Sequence, residues 1–268
     1  MGIRRHRIDM TVLERFELDG DVAIVTGGNR AIGRGIATAL AEAGTDVVIA
    51  NRDADDGERA AAEIAAATGA ETRCIPTDVA DDDSVRALVD ATVDAFGGID
   101  VLVNNAGLTI NGPAEEMTLA EWNRVLNVNL TGVFRCSRVV GREMIERGGG
   151  SIVTISSISA LVANHPQPQV SYQASKGGVD AFTRQLASEW AEHDVRVNTI
   201  NPGYVRTDLI EGVLENDPEM AETWYDEMLQ GEMATPEDVG PLAVYLAADA
   251  SSYVTGESIV IDGGYTVR

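Results

Sequence analysis

From residue 21 onward, short β-branched and aliphatic runs alternate with longer stretches in which apolar positions recur every three or four residues. The runs at 22–25, 47–50, 101–103, 152–155 and 195–200 read as strands buried on both faces, and 258–261 adds a late one. The stretches between them predict helices with marked ends. Thr118 and Glu121 have the spacing of a capping box, and Thr235-Pro236 with Asp238 combines an N-cap, a proline at the first helical position and an acidic first turn. Gly44, Gly97 and Gly98 stand where helices stop. This alternation predicts βαβ units and a parallel sheet in one α/β domain, uninterrupted by repeat or linker. The domain is expected over residues 18–268, after an N-terminal extension of residues 1–17. Residues 204–234 break the pattern with a polar and apolar mixture carrying Trp224, Tyr225 and Met228, long enough to form a lid over a site.

Composition narrows the function classes. The 268 residues are 44% hydrophobic, enough for one large core, and 43 acidic against 20 basic residues give a net charge of −23. Such a field repels phosphate backbones and anionic membrane surfaces, so neither nucleic acid nor membrane is an expected partner. The acids are dispersed along the chain, as on a solvated surface over a normal core. Together with a single lysine this suggests a salt-adapted cytoplasmic protein, a GC-rich genome being the other source of an arginine bias. Arg4, Arg5 and Arg7 are followed by Asp9, Glu14 and Glu17 where a signal peptide needs an apolar run, and no stretch reaches the roughly 20 apolar residues of a membrane span. Cys74 and Cys136 are read as free thiols, and His6, His165 and His193 lack ligand spacing, so no metal site is expected.

The lone lysine is Lys176, four residues after Tyr172 in Ser171-Tyr172-Gln173-Ala174-Ser175-Lys176. Chance would place one of the tyrosines there only about 2% of the time. On a helix the phenol and the ammonium share a face. A tyrosine of ordinary pKa about 10 must fall by roughly 3 units, about 4 kcal/mol, to exchange protons near neutrality, and a cation about 4 Å away at an effective dielectric of about 20 supplies that. Arginine, with its wide planar fork, is a poor substitute for a compact point charge. The alternative is a tyrosine and a lysine on a solvated helix face.

Directly after the first strand, Thr26-Gly27-Gly28-Asn29-Arg30-Ala31-Ile32-Gly33 opens a helix expected over 34–43. Glycines at such a turn let the backbone approach a pyrophosphate at a helix N-terminus. The second strand ends at Ala50-Asn51-Arg52, where an acidic residue would receive the ribose hydroxyls of NAD. Asn51 is neutral, and Arg30 and Arg52 are placed to bracket a 2′-phosphate, so NADP(H) is favoured over NAD(H), with Asp53 diluting the positive field.

Taken together, these motifs resemble the short-chain dehydrogenase/reductase family over residues 18–268: the TGGNRAIG loop, Asp78-Val79, Asn104-Asn105-Ala106-Gly107, Asn127-Val128-Asn129, Ser156-Ser157, Tyr172 with Lys176, and Pro202-Gly203. The resemblance implies a Rossmann-like, doubly wound single domain with a seven-stranded parallel sheet, assembled as a homotetramer or homodimer. It implies that Tyr172 exchanges the proton with the substrate oxygen, that Lys176 lowers its pKa and holds the nicotinamide ribose, that Ser157 orients the reacting group, and that Asn129 supports a water connecting Lys176 to solvent. Cofactor contacts are implied at Gly27, Asn29, Arg30, Ala31, Ile32, Asn51, Arg52, Asp78, Val79, Asn105, Ala106, Gly107, Tyr172, Lys176, Pro202, Gly203, Val205 and Thr207.

Two departures stand out. Ala31 replaces a common glycine, and the interval from Ser157 to Tyr172 is two residues longer than usual, which makes Ser159 a rival for the serine role. The added length falls in residues 162–169, and with the ending Asp262-Gly263-Gly264-Tyr265-Thr266 it resembles the subgroup acting on polyols, ketoses and sugar acids. Ser159, His165, Gln169, Tyr204 and Trp224 are the candidate substrate residues. The expected activity is hydride transfer between a nicotinamide cofactor and a secondary alcohol or ketone of that class. A 3-oxoacyl reductase is the rival within the fold, disfavoured because its carrier protein is itself acidic. A non-catalytic cofactor sensor is the rival outside enzymes, disfavoured by the intact Asn129, Ser157, Tyr172 and Lys176.

Overall fold

A computed structural model describes residues 10–267, with Leu209 described by its backbone alone. Residues 1–9, with most of the expected extension and His6, lie outside the described residues. Leu18 is the first buried residue of those described; its N–H bonds the Ala43 carbonyl, and a 3₁₀ turn at Glu14–Phe16 precedes it.

Seven parallel strands form one sheet: β1 (Val22–Thr26), β2 (Asp46–Asn51), β3 (Thr72–Pro76), β4 (Val101–Asn104), β5 (Gly150–Ile155), β6 (Val195–Pro202) and β7 (Ser258–Ile261), in the order β3-β2-β1-β4-β5-β6-β7. The sequence pattern alone marks six of them. At the sheet edge, β3 has two exposed and three half-buried positions in Thr-Arg-Cys-Ile-Pro, so neither a continuous apolar run nor a clean alternation announces it.

Helices cover both faces. On one, α1 (Ala31–Glu42), α2 (Ala54–Thr68) and α9 (Pro236–Ala247) bury Ile36, Leu40, Ile64, Val239 and Leu246 against the sheet. On the other, α3 (Asp82–Phe96), α5 (Val133–Arg147) and α6 (Val170–Trp190) bury Leu88, Val140, Met144 and Leu186. The capping box at Thr118 and Glu121 starts α4 (Leu119–Leu126), and the Asp238 carboxylate accepts from the Thr235 N–H at 2.6 Å to start α9. Gly97 ends α3 in the left-handed conformation (φ 84°).

Two segments place the site. Between α4 and α5 the chain makes a π turn over Asn127–Gly132, a wider turn that aims Asn129 inward, where it is fully buried. After β6, residues 204–234 leave the sheet and return: α7 (Asp208–Asn216) and α8 (Pro218–Glu227) stand on a base closed by Arg206 N–H to Ala234 O at 2.8 Å and Ala234 N–H to Tyr204 O at 3.1 Å. A third apolar cluster of Ile158, Tyr204, Trp224, Met228, Met233 and Tyr265 fixes this excursion to the body.

Candidate active site

Strand order reverses between β1 and β4, and a cleft of about 850 Å³ opens at their carboxyl ends, the place where open α/β sheets receive ligands. Its floor is the β1–α1 turn. Gly27 is left-handed (φ 66°), and a Cβ on Gly33 would lie 2.3 Å from the Gly27 carbonyl oxygen, so the turn closes only without side chains there. Asn105 locks it across the switch point, donating to the Thr26 and Gly27 carbonyls at 2.9 and 3.2 Å. The helix begins at Ala31, three residues before the sequence reading, and Ala31 itself carries φ 48°.

The start of α1 has no side-chain cap at Arg30, whereas Asp53, Asp81, Thr118, Thr207 and Asp217 cap α2, α3, α4, α7 and α8. Its N–H groups therefore face the cleft unclaimed by side chains, and these residues fit a dinucleotide pyrophosphate. Asn29, Ile32, Asp78, Val79, Ala106, Gly107 and Thr207 line the same cleft as expected. Five sequence candidates do not: Tyr172 and Lys176 lie in α6 outside that lining, and the other three pack into the body of the fold. Pro202 ends β6, Gly203 packs so closely on Asp262 that a Cβ would lie 2.8 Å from its Cα, and Val205 is buried in the bridge to Ala234.

At the adenosine end, Arg30 and Arg52 are exposed and make no ion pair among the described residues, although Arg34, Arg59, Arg73, Arg86, Arg138, Arg147 and Arg206 all do. Asn51 lines the cleft, but its carboxamide is spent elsewhere, donating to the Asp53 carbonyl at 2.5 Å and accepting from the Cys74 thiol at 3.6 Å. The charges that can discriminate a 2′-phosphate are thus those of Arg30, Arg52 and Asp53.

The residues expected to handle the proton meet where β5 runs into α6. Ser157 leaves the strand, and Tyr172 stands in the first turn of α6, near enough for the Ser157 hydroxyl to act on its phenol. Burial pushes the Tyr172 phenol above its usual range, and the Ser157 bond only partly opposes this. The depression expected from Lys176 is not found. The Lys176 ammonium, buried, donates to the Ile155 carbonyl at 2.7 Å and stands 5.5 Å from the Tyr172 ring centroid. Burial lowers its own pKa to about 8, with Asp180 pulling the other way. Asn129 clamps the loop after β4, accepting from the Leu108 N–H at 2.9 Å and donating to the Leu108 carbonyl at 2.8 Å and to Ser175 Oγ at 3.2 Å.

Asp180 and Asn201 escaped the sequence reading. Asp180, one helical turn past Lys176, is buried and accepts from Asn201 at 2.8 Å, and the same Asn201 amide donates to the Ser157 carbonyl at 3.1 Å. The i,i+4 spacing after Lys176 is the signal that marks Asp180.

On the substrate side the insert turns inward at different residues from those expected. His165 is exposed, and Gln169 sits at the N-cap of α6 without a capping bond; instead Asn164 and Gln167 face the interior. Trp224 and Tyr204 are buried and stacked (4.4 Å, 21°) rather than open to the cleft. Ser159 is buried beside Ser157, its Oγ 3.0 Å from that of Ser157, and donates to Asn164 Oδ1 at 2.6 Å.

Among the described residues no helix is long and apolar enough to cross a membrane, and no group of three or more His, Cys, Asp or Glu could hold a metal ion.

Comparison with known proteins agrees with this geometry. The family model described as Enoyl-(Acyl carrier protein) reductase matches residues 27–266. A galactitol 2-dehydrogenase of Rhizobium johnstonii is 41% identical over 258 residues, 96% of this chain and 99% of the relative. A D-threitol dehydrogenase of Mycolicibacterium smegmatis is 42% identical over 253 residues, 94% of this chain and 95% of the relative. Among solved structures, a gluconate 5-dehydrogenase from Burkholderia cenocepacia in complex with NADP and tartrate superposes with a TM-score of 0.91 at 33% identity, covering 96% of this chain and 100% of that one. The chain belongs to the short-chain dehydrogenase/reductase family and is an oxidoreductase.

Proposed function

We propose that this short-chain dehydrogenase/reductase is an NADP(H)-preferring enzyme of polyols, ketoses or sugar acids. Bound at the uncapped start of α1, a nicotinamide dinucleotide supplies the hydride chemistry. The chain's own residues bind, orient and move the proton. Ser157, its own proton donated to Ser159, accepts from the alcohol hydroxyl at the reacting oxygen, and Tyr172, a phenol that burial keeps protonated, gives that oxygen its proton in carbonyl reduction. Lys176 lies one turn away as a buried cation 5.5 Å from the Tyr172 ring centroid, and Asn129 holds the loop after β4 against the helix that carries both residues. The observation that carries this reading is the convergence of Ser157, Tyr172 and Lys176 where β5 runs into α6, in a sheet whose switch point opens a cleft of about 850 Å³ at the uncapped start of α1.

NADP(H) is supported by the unpaired Arg30 and Arg52, and by the NADP in the gluconate 5-dehydrogenase complex. The polyhydroxylated substrate class is supported by the named activities of the relatives. A cytoplasmic, salt-adapted homotetramer or homodimer is consistent with the charge of −23. The fold excursion at 204–234 acts as the lid. An acyl reductase is the second reading because the matching family model carries that description; an acidic carrier protein would meet a like-charged surface.

Tyr172→Phe tests the assignment. It should lower kcat/KM by about a thousandfold, roughly 4 kcal/mol, with dinucleotide affinity within a few fold of wild type. Retention of more than about a tenth of wild-type kcat/KM, a loss under about 1.4 kcal/mol, would remove Tyr172 from the role.

A further inference from the structure

The lengthened insert ties the excursion after β6 to the end of β5. Trp224, in α8 of the excursion, donates its indole N–H to Gln167 Oε1 at 3.1 Å, and Gln167 donates its amide to the Tyr204 hydroxyl at 3.0 Å. That hydroxyl also faces the Asn164 amide at 3.4 Å. At its other end Asn164 accepts from Ser159 at 2.6 Å and from Gln173 at 3.0 Å, and Ser159 accepts from Ser157 at 3.0 Å. Six side chains therefore form one unbroken line of hydrogen bonds from the lid helix to the hydroxyl beside Tyr172.

Donor inventory gives this line a direction. An amide oxygen can only accept, so the Ser159 proton is committed to Asn164, and Ser159 Oγ can serve Ser157 only as an acceptor. Asn164 Oδ1 already takes two donors, which pins the amide with its nitrogen toward Tyr204. Ser157, Ser159, Gln167, Tyr204 and Trp224 are all buried, where hydrogen bonds are stronger and an orphaned partner costs about 1–3 kcal/mol. Cutting the line at one point therefore frees donors along it.

We propose that Asn164 and Gln167 are positioning residues that couple the seating of the lid to the orientation of Ser157. Neither reaches the reacting atoms in this arrangement; they act through Ser159 and Tyr204. With the lid seated, Gln167 holds Tyr204, Tyr204 holds Asn164, and the Ser157 hydroxyl has a fixed acceptor behind it. This rests on the assignment of Ser157 to the reacting oxygen.

A double-mutant cycle tests the coupling, with Gln167→Leu cutting the lid end and Ser159→Ala cutting the catalytic end. The assay uses whichever secondary alcohol or ketone the wild-type enzyme turns over fastest, so failure of the polyol reading leaves the cycle intact. Each single variant should lower kcat/KM about tenfold, and the double variant should lose about tenfold as well, because either cut breaks the same line. The Gln167→Leu loss should fall on kcat and not on KM alone. Gln167→Glu, which keeps an acceptor for Trp224, should recover part of it, and it replaces Gln167→Leu should the latter fail to fold. Multiplicative losses approaching about a hundredfold, a loss confined to KM, or an unchanged kcat/KM in either single variant would overturn the coupling.

Discussion

Ala31 shows at the residue scale what the chain tolerates to build its cofactor turn. Its φ of 48° places a methyl-bearing residue in the left-handed region, which costs about 1–2 kcal/mol, against about 0.5–1 kcal/mol of extra backbone entropy for glycine. Ala31→Gly should therefore raise unfolding free energy by about 0.5–1 kcal/mol in denaturant titration, and a drop would show that the turn relies on the methyl group. Lys176 gives the pH dependence. On the proposed assignment carbonyl reduction needs Tyr172 protonated and Lys176 cationic; burial holds the phenol high, so the group that titrates first as pH rises is Lys176, at about 8. The kcat/KM of reduction should fall above that pH along a one-proton limb, and a flat profile through pH 10 would contradict a cationic requirement. Tyr172 and Lys176 were legible in the sequence because helical spacing fixes their shared face. The Lys176 bond to the Ile155 carbonyl was not, since it depends on how β5 and α6 pack. The same limit explains His165 and Gln167: an irregular loop has no period to tell which polar residue turns inward.

At the scale of elements, the apolar runs revealed six strands and the cap chemistry revealed the starts of α4 and α9, because both are local properties of the chain. The edge strand β3 and the exact start of α1 were hidden by half-burial and by a non-glycine left-handed residue. The excursion after β6 was legible as an interruption, but its anchoring by Trp224 was not. The proposed cofactor preference rests on two elements, the β1–α1 turn and the end of β2, which present Arg30 and Arg52 to the cleft. Replacing both by Ala should weaken NADP(H) binding by at least about tenfold, roughly 1.4 kcal/mol, and leave NAD(H) binding within a few fold, measured by titration at fixed salt. Equal weakening of both cofactors would assign the two guanidiniums to the shared pyrophosphate instead.

For the molecule as a whole, the charge of −23 is the dominant long-range term. Self-repulsion acts over a Debye length that shrinks from about 30 Å at 0.01 M salt to about 3 Å at 1 M, so KCl should stabilise the fold and the association of subunits. The melting temperature is expected to rise between dilute buffer and 2 M KCl; a flat or falling curve would count against salt adaptation. One assay bears most directly on what the enzyme does: steady-state kinetics of the wild-type protein in molar salt, following the nicotinamide absorbance, with polyols, ketoses, sugar acids, apolar ketones and 3-oxoacyl thioesters, each with NADP(H) and NAD(H). On the proposed function the highest kcat/KM is expected with a polyhydroxylated substrate and NADP(H), the first from the activities of the relatives and the second from the exposed Arg30 and Arg52. A 3-oxoacyl thioester or an apolar ketone outperforming every polyol, ketose and sugar acid would contradict the proposed function and promote the acyl reductase.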